Sequence, residues 1–442
     1  HQIDDTTALG TEAGFSGNFS IVDLGQNVSR TAFGHYTDPR TNHMLMNSGF
    51  LPTWGGHMSD SALCASCHNL KTPYVDHQGN LASTPTTEFP EQAVYSEWAF
   101  AGIEETCQDC HMPKTHGVKI ANRPRLLTAR NDFSRHTLLG GNSAMLDIMA
   151  DNKETLGITA TGFDKAIAGT RAMLATAASL EMATSQANGG IEVVLTVNNK
   201  SGHKFPTSFP SRRAFIHLIV KKGNNIVFES GKLNPDGSIV GVDADTNTCG
   251  VRYVFEPHYD EITSEEQVQV YEPIMGNTSD DMTYTLLRAA QYLKDNRVLP
   301  LGFAKATASS DVAVRGRAAA DGSFGAGSDA VRYSVPVGAA TGPYRVTARI
   351  WYQPVGYRWA HNLADQEADE IDRFIGYYEE FAERLAKVGE LENKADEIRK
   401  CIGCLEGCGK PCPINYDIFP DAVPITPAEK PKNILIIGGG GR

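Results

Sequence analysis

The chain has 442 residues, of which 41% are hydrophobic and 8% aromatic, and its formal net charge is −12. This length predicts two to four domains with buried cores. The acidic balance excludes the basic surface that nucleic-acid binding requires, and the sequence contains no apolar run as long as a membrane span.

Two Cys-x-x-Cys-His pentapeptides occur in the first quarter of the chain, at 64–68 and 107–111. This spacing is the attachment signature of c-type haem. Each thiol adds across a haem vinyl group, and the adjacent His is held beneath the iron as its proximal ligand. Disulfide-bonded or redox-active thiol pairs with coincidental His neighbours are the alternative. The signature predicts two haem c groups, held by Cys64, Cys67, His68, Cys107, Cys110 and His111.

The sixth ligand of each iron separates electron transfer from catalysis, because a second His closes the iron to substrates. Histidines are frequent around both motifs, which favours bis-His ligation. Nearby methionines are the alternative ligands. We therefore predict an electron-transfer protein. The alternative is an oxidoreductase of nitrogen or sulfur compounds with an open haem iron.

Covalent haem is attached outside the cytoplasm, so the motifs predict a periplasmic or extracellular location. The chain begins at His1, without Met or a signal peptide. We therefore expect that processing or truncation has removed an export signal.

The predicted elements begin with a loop-rich segment at 1–140, as expected where porphyrins replace much of the side-chain core. Residues 161–185 predict a helix with one apolar face, and Thr161 to Asp164 form a capping box at its start. Along 191–197 the apolar period changes to two, which indicates a strand.

Alternating apolar residues and turn signals predict a β-sandwich over 188–355. Gly223 to Asn225 marks a hairpin turn between two of its strands. A helix near 280–294 and a Gly/Ala/Ser-rich loop at 317–330 are expected to interrupt the sandwich. Residues 364–400 predict a charged helix or a helix pair.

The predicted fold class is multidomain α+β, with a loop-rich, haem-packed helical domain followed by a β-sandwich and a charged helical tail. The predicted domains are a dihaem cytochrome c domain at 1–140, bridging helices at 141–187, the β-sandwich at 188–360, an acidic helical segment at 361–400, and a Cys-rich tail with a truncated Gly-rich segment at 401–442.

Short segments that include the two motifs and lie on both sides of them resemble segments of a known protein family. They lie at 33–38, 57, 64–68, 91–93, 98, 106–113, 133–142, 202–207, 210–213, 256–259 and 292–300. Together they resemble bacterial multihaem cytochromes c of the group that contains cytochrome c554, pentahaem nitrite reductase and hydroxylamine oxidoreductase. The resemblance covers about residues 30–365.

This resemblance implies bis-His haems in close stacks that pass electrons. We also expect redox partner proteins or other haem subunits as partners, in a chain that could form homo-oligomers or filaments. It implies distal ligands at His136, His57 and His35, with His203 as a weaker candidate. Family members usually carry more haems, so we expect an upstream haem segment to be missing. Catalytic members often have Lys in place of the proximal His. Neither motif has this Lys, which favours electron transfer.

Asp243 to Asn247 has the alternating oxygen ligands of a calcium loop but lacks the Gly and the final Glu of such loops. An ordinary acidic turn is the simpler interpretation, and a bound calcium ion is the alternative.

Four cysteines lie close together near the C-terminus, at Cys401, Cys404, Cys408 and Cys412. Thiolates at such spacing hold a [4Fe–4S] cluster or zinc, and an empty or disulfide-bonded loop is the alternative. Residues 398–442 resemble a truncated segment of iron–sulfur flavoenzymes of the 2,4-dienoyl-CoA reductase type. The last Cys spacing is shorter than in that family, and the final Gly run stops before a dinucleotide-binding fingerprint is complete. We therefore expect the tail to be chimeric or truncated.

Overall fold

The computed structural model of the chain describes residues 2–21, 25, 29–121, 125–187, 189–243, 255–338, 342–388 and 394–402. Within these ranges the fold is mixed α+β, as the sequence predicts. The helices are α1 (Thr41–Ser48), α2 (Ala62–His68), α3 (Val94–Ala101), α4 (Cys107–His111), α5 (Ser143–Asp151), α6 (Phe163–Leu174), α7 (Tyr357–His361) and α8 (Asp369–Val388).

The strands are mostly short before residue 178 and longer after it. They are β1 (Arg30–Gly34), β2 (Phe50–Trp54), β3 (Asn69–Thr72), β4 (Phe89–Ala93), β5 (Lys114–Thr115), β6 (Phe133–Ser134), β7 (Ala178–Ala187), β8 (Gly190–Asn199), β9 (Arg213–Lys222), β10 (Asn225–Ser230), β11 (Glu261–Ile262), β12 (Val270–Tyr271), β13 (Pro273–Gly276), β14 (Met282–Thr283), β15 (Gln291–Asp295), β16 (Ser328–Pro336), β17 (Tyr344–Gln353) and β18 (Lys394–Ile402).

The N-terminal part consists of short elements joined by loops. Its strands form three two-stranded sheets, β1 with β2, β3 with β4, and β5 with β6. The first Cys-x-x-Cys-His motif forms the end of α2, and the second forms all of α4. Among the described residues, no helix is both long enough and apolar enough to cross a membrane.

The predicted β-sandwich is formed by two sheets that share one core. One sheet has the strand order β10-β9-β17-β18, with β12 paired to β9, and the other has the order β11-β16-β8-β7. The alternating side chains of β8 are buried against those of β9 and β17. The period-two pattern of the sequence therefore marks the inward face of the sandwich.

The predicted hairpin is confirmed. Strands β9 and β10 are antiparallel, and Lys222 lies opposite Asn225 across the turn. Gly223 has φ +60°, a left-handed conformation that glycine adopts without steric cost.

The helix predicted at 161–185 is wrong in its second half. Helix α6 ends at Leu174, and residues 178–187 form strand β7, which pairs with β8. Ala178 and Leu180 are buried in the sandwich core, so pairing and burial override the good helix propensity of this segment.

Two further helix predictions are also corrected. The segment near 280–294 contains β14, a 3-10 turn at Leu286–Arg288 and β15 instead of a helix. The charged helix α8 ends at Val388, and Lys394–Ile402 is strand β18, paired with β17. Propensity favoured helix in both cases, whereas the sheet edges offered backbone hydrogen-bond partners.

The sandwich core predicts a face-dependent response to truncation along β8. Leu195→Ala should lower the free energy of unfolding by about 2–5 kcal/mol, because Leu195 is fully buried. Val194→Ala, one residue away on the other face and only half-buried, should cost less than half as much. Guanidinium unfolding followed by circular dichroism measures both, and equal losses would contradict the assigned faces.

Candidate functional site

The two motif helices are joined at their starts through Ser61. The Cys107 N–H donates to the Ser61 hydroxyl at 3.0 Å, and the Cys64 N–H donates to the Ser61 carbonyl at 2.9 Å. The Gln108 side-chain amide also donates to the Asp60 carbonyl, at 2.9 Å. These bonds bring the first Cys of each motif together.

The second motif helix is stabilised by its own capping box. The Asp109 carboxylate accepts hydrogen bonds from the Thr106 N–H at 3.0 Å and from the Thr106 hydroxyl at 2.8 Å. Such a cap satisfies backbone donors that a five-residue helix would otherwise leave free. The sequence next to the motif therefore explains why α4 forms.

All four motif cysteines are free thiols, with Cys67 and Cys110 exposed and Cys64 and Cys107 half-buried. The Cys64 and Cys107 thiols are hydrogen-bonded to each other. This bond, together with burial, raises the pKa of Cys64, and the same bond lowers the pKa of Cys107 to about 6.

His111 has the hydrogen-bonding pattern of a metal-binding histidine. Its Nδ1 atom is hydrogen-bonded to the Leu139 carbonyl, which leaves Nε2 available. A backbone carbonyl on one ring nitrogen fixes the tautomer and directs the other nitrogen to a metal. His203 has the same pattern, because its Nδ1 lies 2.9 Å from the Lys204 carbonyl.

The rings of His111 and His203 are near each other and nearly parallel. Their centroids are 6.3 Å apart and their planes differ by 16°. Two imidazoles on opposite sides of a metal ion, with bonds of about 2 Å, have centroids about 6 Å apart. Partial burial, followed by the His111 and Arg212 charges, lowers the pKa of His68, so the first motif contributes to the same cluster.

The other predicted distal ligands lie in different surroundings. The buried Nε2 atom of His57 has no hydrogen-bond partner, and its ring packs edge-on against Phe33 with centroids 5.0 Å apart. His35 is already hydrogen-bonded through Nε2 to the Asp132 carbonyl at 3.1 Å. His136 is exposed in the loop after β6. Of these three, His57 has a buried nitrogen without a partner.

The loop that carries His203 is held by a buried ionic cluster of Glu97, Lys204, Asp295 and Arg297, the Glu97 network. The Lys204 ammonium is 2.6 Å from the Asp295 carboxylate, and the Arg297 guanidinium lies 2.7 Å from Asp295 and 2.8 Å from Glu97. Glu97 also accepts a hydrogen bond from the Lys204 N–H at 3.1 Å. Two anions and two cations thus balance.

The Glu97 network connects both motifs to the sandwich. Glu97 lies on α3, which follows α2 and precedes α4. The Asn69 side chain ties the end of α2 to α3, accepting from the Tyr95 N–H at 3.0 Å and donating to the Ser96 hydroxyl at 2.6 Å. His203 is therefore connected to α2 through α3, and to α4 through the Ser61 bond between the two motif helices.

Sequence reasoning missed the Glu97 network and Arg212. The segments at 202–207 and 210–213 carry a family likeness, but isolated charged residues give no sign that they meet in the interior. Arg212 donates to the Thr207 carbonyl at 3.0 Å, and its charge acts on both His68 and His203. The family resemblance at 202–207 was the sequence signal that pointed to His203 as a ligand.

The described residues give little evidence for the predicted iron–sulfur cluster or for the predicted calcium ion. Cys401 lies in strand β18, whereas Cys404, Cys408 and Cys412 lie outside the described residues. The Asp243 carboxylate accepts two hydrogen bonds from the Arg213 guanidinium, at 2.9 and 2.6 Å. The rest of that loop also lies outside the described residues, so both cofactors stay predictions.

No protein-family profile matches the sequence, and no curated protein matches it. A solved structure that is similar to the chain is the penta-heme cytochrome c552 from Thermochromatium tepidum. The similarity has a TM-score of 0.41 and 12% sequence identity, and it covers 84% of this chain and 68% of the other. The neighbour is a multihaem cytochrome c, but so distant a likeness carries no weight for function. The function proposed below therefore rests on the side chains.

The Glu97 network predicts that Asp295 is essential for stability. Asp295→Asn would leave two buried cations facing one anion, at an expected cost of about 3–5 kcal/mol in urea unfolding at pH 7. Burial acts to raise the pKa of Asp295, but the Arg297 and Lys204 cations hold it at about 2. Because this pKa is below the ordinary value, the contribution is present above about pH 4 and is lost as the pH falls towards 2. The variant should lack that acid-sensitive part.

An exposed ion pair provides the control. Glu12 lies 2.7 Å from Lys71, but its side chain is 71% exposed. Glu12→Gln should cost less than about 1 kcal/mol. A similarly small cost for Asp295→Asn would show that the network does not hold the site together.

Proposed function

We propose that the chain is a c-type cytochrome that carries electrons through two covalently bound haems. Cys64 and Cys67 attach the first and Cys107 and Cys110 the second, with His68 and His111 as proximal ligands. The observation that supports this most strongly is the nearly parallel pair of His111 and His203, with ring centroids 6.3 Å apart and each Nδ1 on a backbone carbonyl.

Bound haem c supplies one-electron chemistry at its iron. The protein's part is to present two imidazole nitrogens to the second haem in a fixed orientation. His111 comes from the motif helix and His203 from a loop fixed by the Glu97 network. Two imidazoles leave no open position, which disfavours the alternative of an enzyme that binds substrate at iron.

His57 is the proposed distal ligand of the first haem. It lies on the 3-10 turn Gly56–Ser59, which directly precedes α2. Its buried Nε2 has no hydrogen-bond partner, a costly state that a metal bond would relieve. His35 and His136 are the remaining candidates from the sequence.

The shared anchor at Ser61 supports electron exchange between the two haems. Because the first thiols of the motifs touch, the two porphyrins would attach side by side. A periplasmic or extracellular location, redox partner proteins or other haem subunits, and self-association belong to the same proposal. Covalent haem attachment requires such a location.

Distal ligation by His203 is tested by substitution in the haem-loaded protein. His203→Ala should convert one of the two haems from low to high spin and open it to carbon monoxide, as measured by electron paramagnetic resonance and visible spectra. His217→Ala is the control, because His217 is buried against Glu229 and Trp351 within the sandwich. The spectrum of that variant should match that of the unaltered protein.

The same measurement separates the rival ligands. A low-spin spectrum that survives His203→Ala but is lost in His136→Ala would make His136 the ligand and contradict the proposal. His57→Ala should open the other haem, and the double variant His57→Ala with His203→Ala should open both.

Thioether attachment makes a separate prediction. Cys64→Ser or Cys110→Ser should reduce the haem that stays with the chain on a denaturing gel stained for peroxidase activity, because one of two covalent links is lost. Cys249→Ser, outside both motifs, should retain haem fully. Full retention in a variant that lacks both cysteines of one motif would refute covalent attachment at these residues.

A further inference from the structure

A second cluster of charged side chains lies outside the haem site, at one end of the β11-β16-β8-β7 sheet. Ligand atoms of His258, Asp321 and Asp329 lie within 4.8 Å of one another. All three residues are buried. Asp260, which is exposed and directly precedes β11, is hydrogen-bonded to Asp321. The cluster therefore combines two buried carboxyl groups and one imidazole, with the exposed Asp260 carboxyl beside Asp321.

The hydrogen bonds of His258 show that its ring is neutral. Its Nδ1 atom lies 2.8 Å from the Gln269 amide nitrogen and 3.2 Å from the Asn296 amide nitrogen. The Gln269 amide cannot be reversed, because its oxygen accepts the Tyr259 N–H at 2.9 Å. Nδ1 is therefore an acceptor, and the ring proton is on Nε2, which donates to Asp321 at 2.9 Å.

This tautomer has two consequences for the cluster. A ring that accepts at Nδ1 and donates at Nε2 cannot carry a positive charge, and it cannot offer Nε2 to a metal. The nearby Lys305 ammonium donates to the carbonyls of Ala318, at 3.2 Å, and Asp321, at 2.6 Å. Lys305 therefore bonds to backbone carbonyls and forms no ion pair with the carboxylate of Asp321 or Asp329.

Asp329 shows where a cation would bind. Its Oδ2 atom accepts from the Tyr271 hydroxyl at 2.7 Å and from Gln269 at 3.1 Å. Its Oδ1 atom is buried without a hydrogen-bond partner, 3.7 Å from the His258 ring nitrogen. The residue is 0% exposed. An unsatisfied carboxylate oxygen in the interior is costly, and a bound cation would relieve that cost.

We propose that Asp321 and Asp329, with Asp260 beside Asp321, bind a hard divalent cation, with calcium as the ion that suits them. The donors are all oxygen atoms, which calcium prefers, and their number leaves room for water ligands. His258 would act from outside the coordination sphere, holding the Asp321 carboxylate through its Nε2–H. Exposed Asp260 provides the path from solvent. This site is independent of the haems and of the loop at 243–247.

Calcium itself is the probe for the test. The haem-loaded protein is stripped with a chelator, and its thermal unfolding is followed by circular dichroism while calcium is added. The expected result is an unfolding midpoint that rises by several degrees and saturates, because a ligand that binds only the folded state stabilises it. The absence of a saturating rise in the unaltered protein would overturn the proposal.

Substitutions then locate the site. Asp329→Asn should abolish the calcium-dependent rise, and Asp260→Asn should weaken the apparent affinity at least tenfold. Because Asp260 is exposed, its variant tests the site even if Asp329→Asn does not fold. Glu380→Gln, which removes an exposed carboxylate from α8, is the matched control and should keep the full response.

Two outcomes would contradict the assignment directly. An unchanged affinity in Asp260→Asn would place bound calcium elsewhere. A saturating rise with zinc but none with calcium would mean that His258 itself binds the metal through nitrogen, which would overturn the all-oxygen site.

Discussion

The buried pairing of Glu97 and Asp295 with Lys204 and Arg297 is the interaction on which the proposed haem site depends. Each of these residues is at most 4% exposed. Buried charges are tolerated only when their partners are in place, so the four residues must assemble together or not at all. Their assembly joins α3 to the loop before β9 and to β15, and so joins the haem segment to the sandwich.

That constraint explains why a histidine far along the chain can serve a motif near its beginning. His203 and His111 are separated by many residues, yet their rings lie 6.3 Å apart. Because a backbone carbonyl already holds the Nδ1 atom of each ring, both imidazoles are oriented before a metal binds. Preorganised ligands of this kind favour a closed, low-spin iron over one that exchanges ligands.

The strands with a clear period of two could be predicted from the sequence, as β8 and β17 show. The β9–β10 hairpin could be predicted from its turn residues instead, since most of β9 is buried on both faces. The segment that became β7 could not be predicted, because its residues also suit a helix and only the free edge of β8 decides the outcome.

The haem motifs were visible because their chemistry depends on local spacing, whereas distal ligation depends on contacts between distant residues. His203 was the weaker candidate by sequence, yet its ring lies nearly parallel to that of the motif residue His111. The carboxylate cluster around Asp329 was equally hidden, since its members come from three separate segments. The function of this cluster depends on which ring nitrogen of His258 carries the proton, and only the neighbouring amides of Gln269 and Asn296 show that.

The proposal that both haem irons have two histidine ligands is tested most directly by the electron paramagnetic resonance spectrum of the oxidised, unaltered protein, quantified against its haem content. Closed bis-His ligation predicts low-spin ferric signals that account for two haems per chain, with no high-spin component. A substantial high-spin signal would show that at least one iron has an open position, and it would contradict the assignment of this chain as an electron carrier with both irons closed.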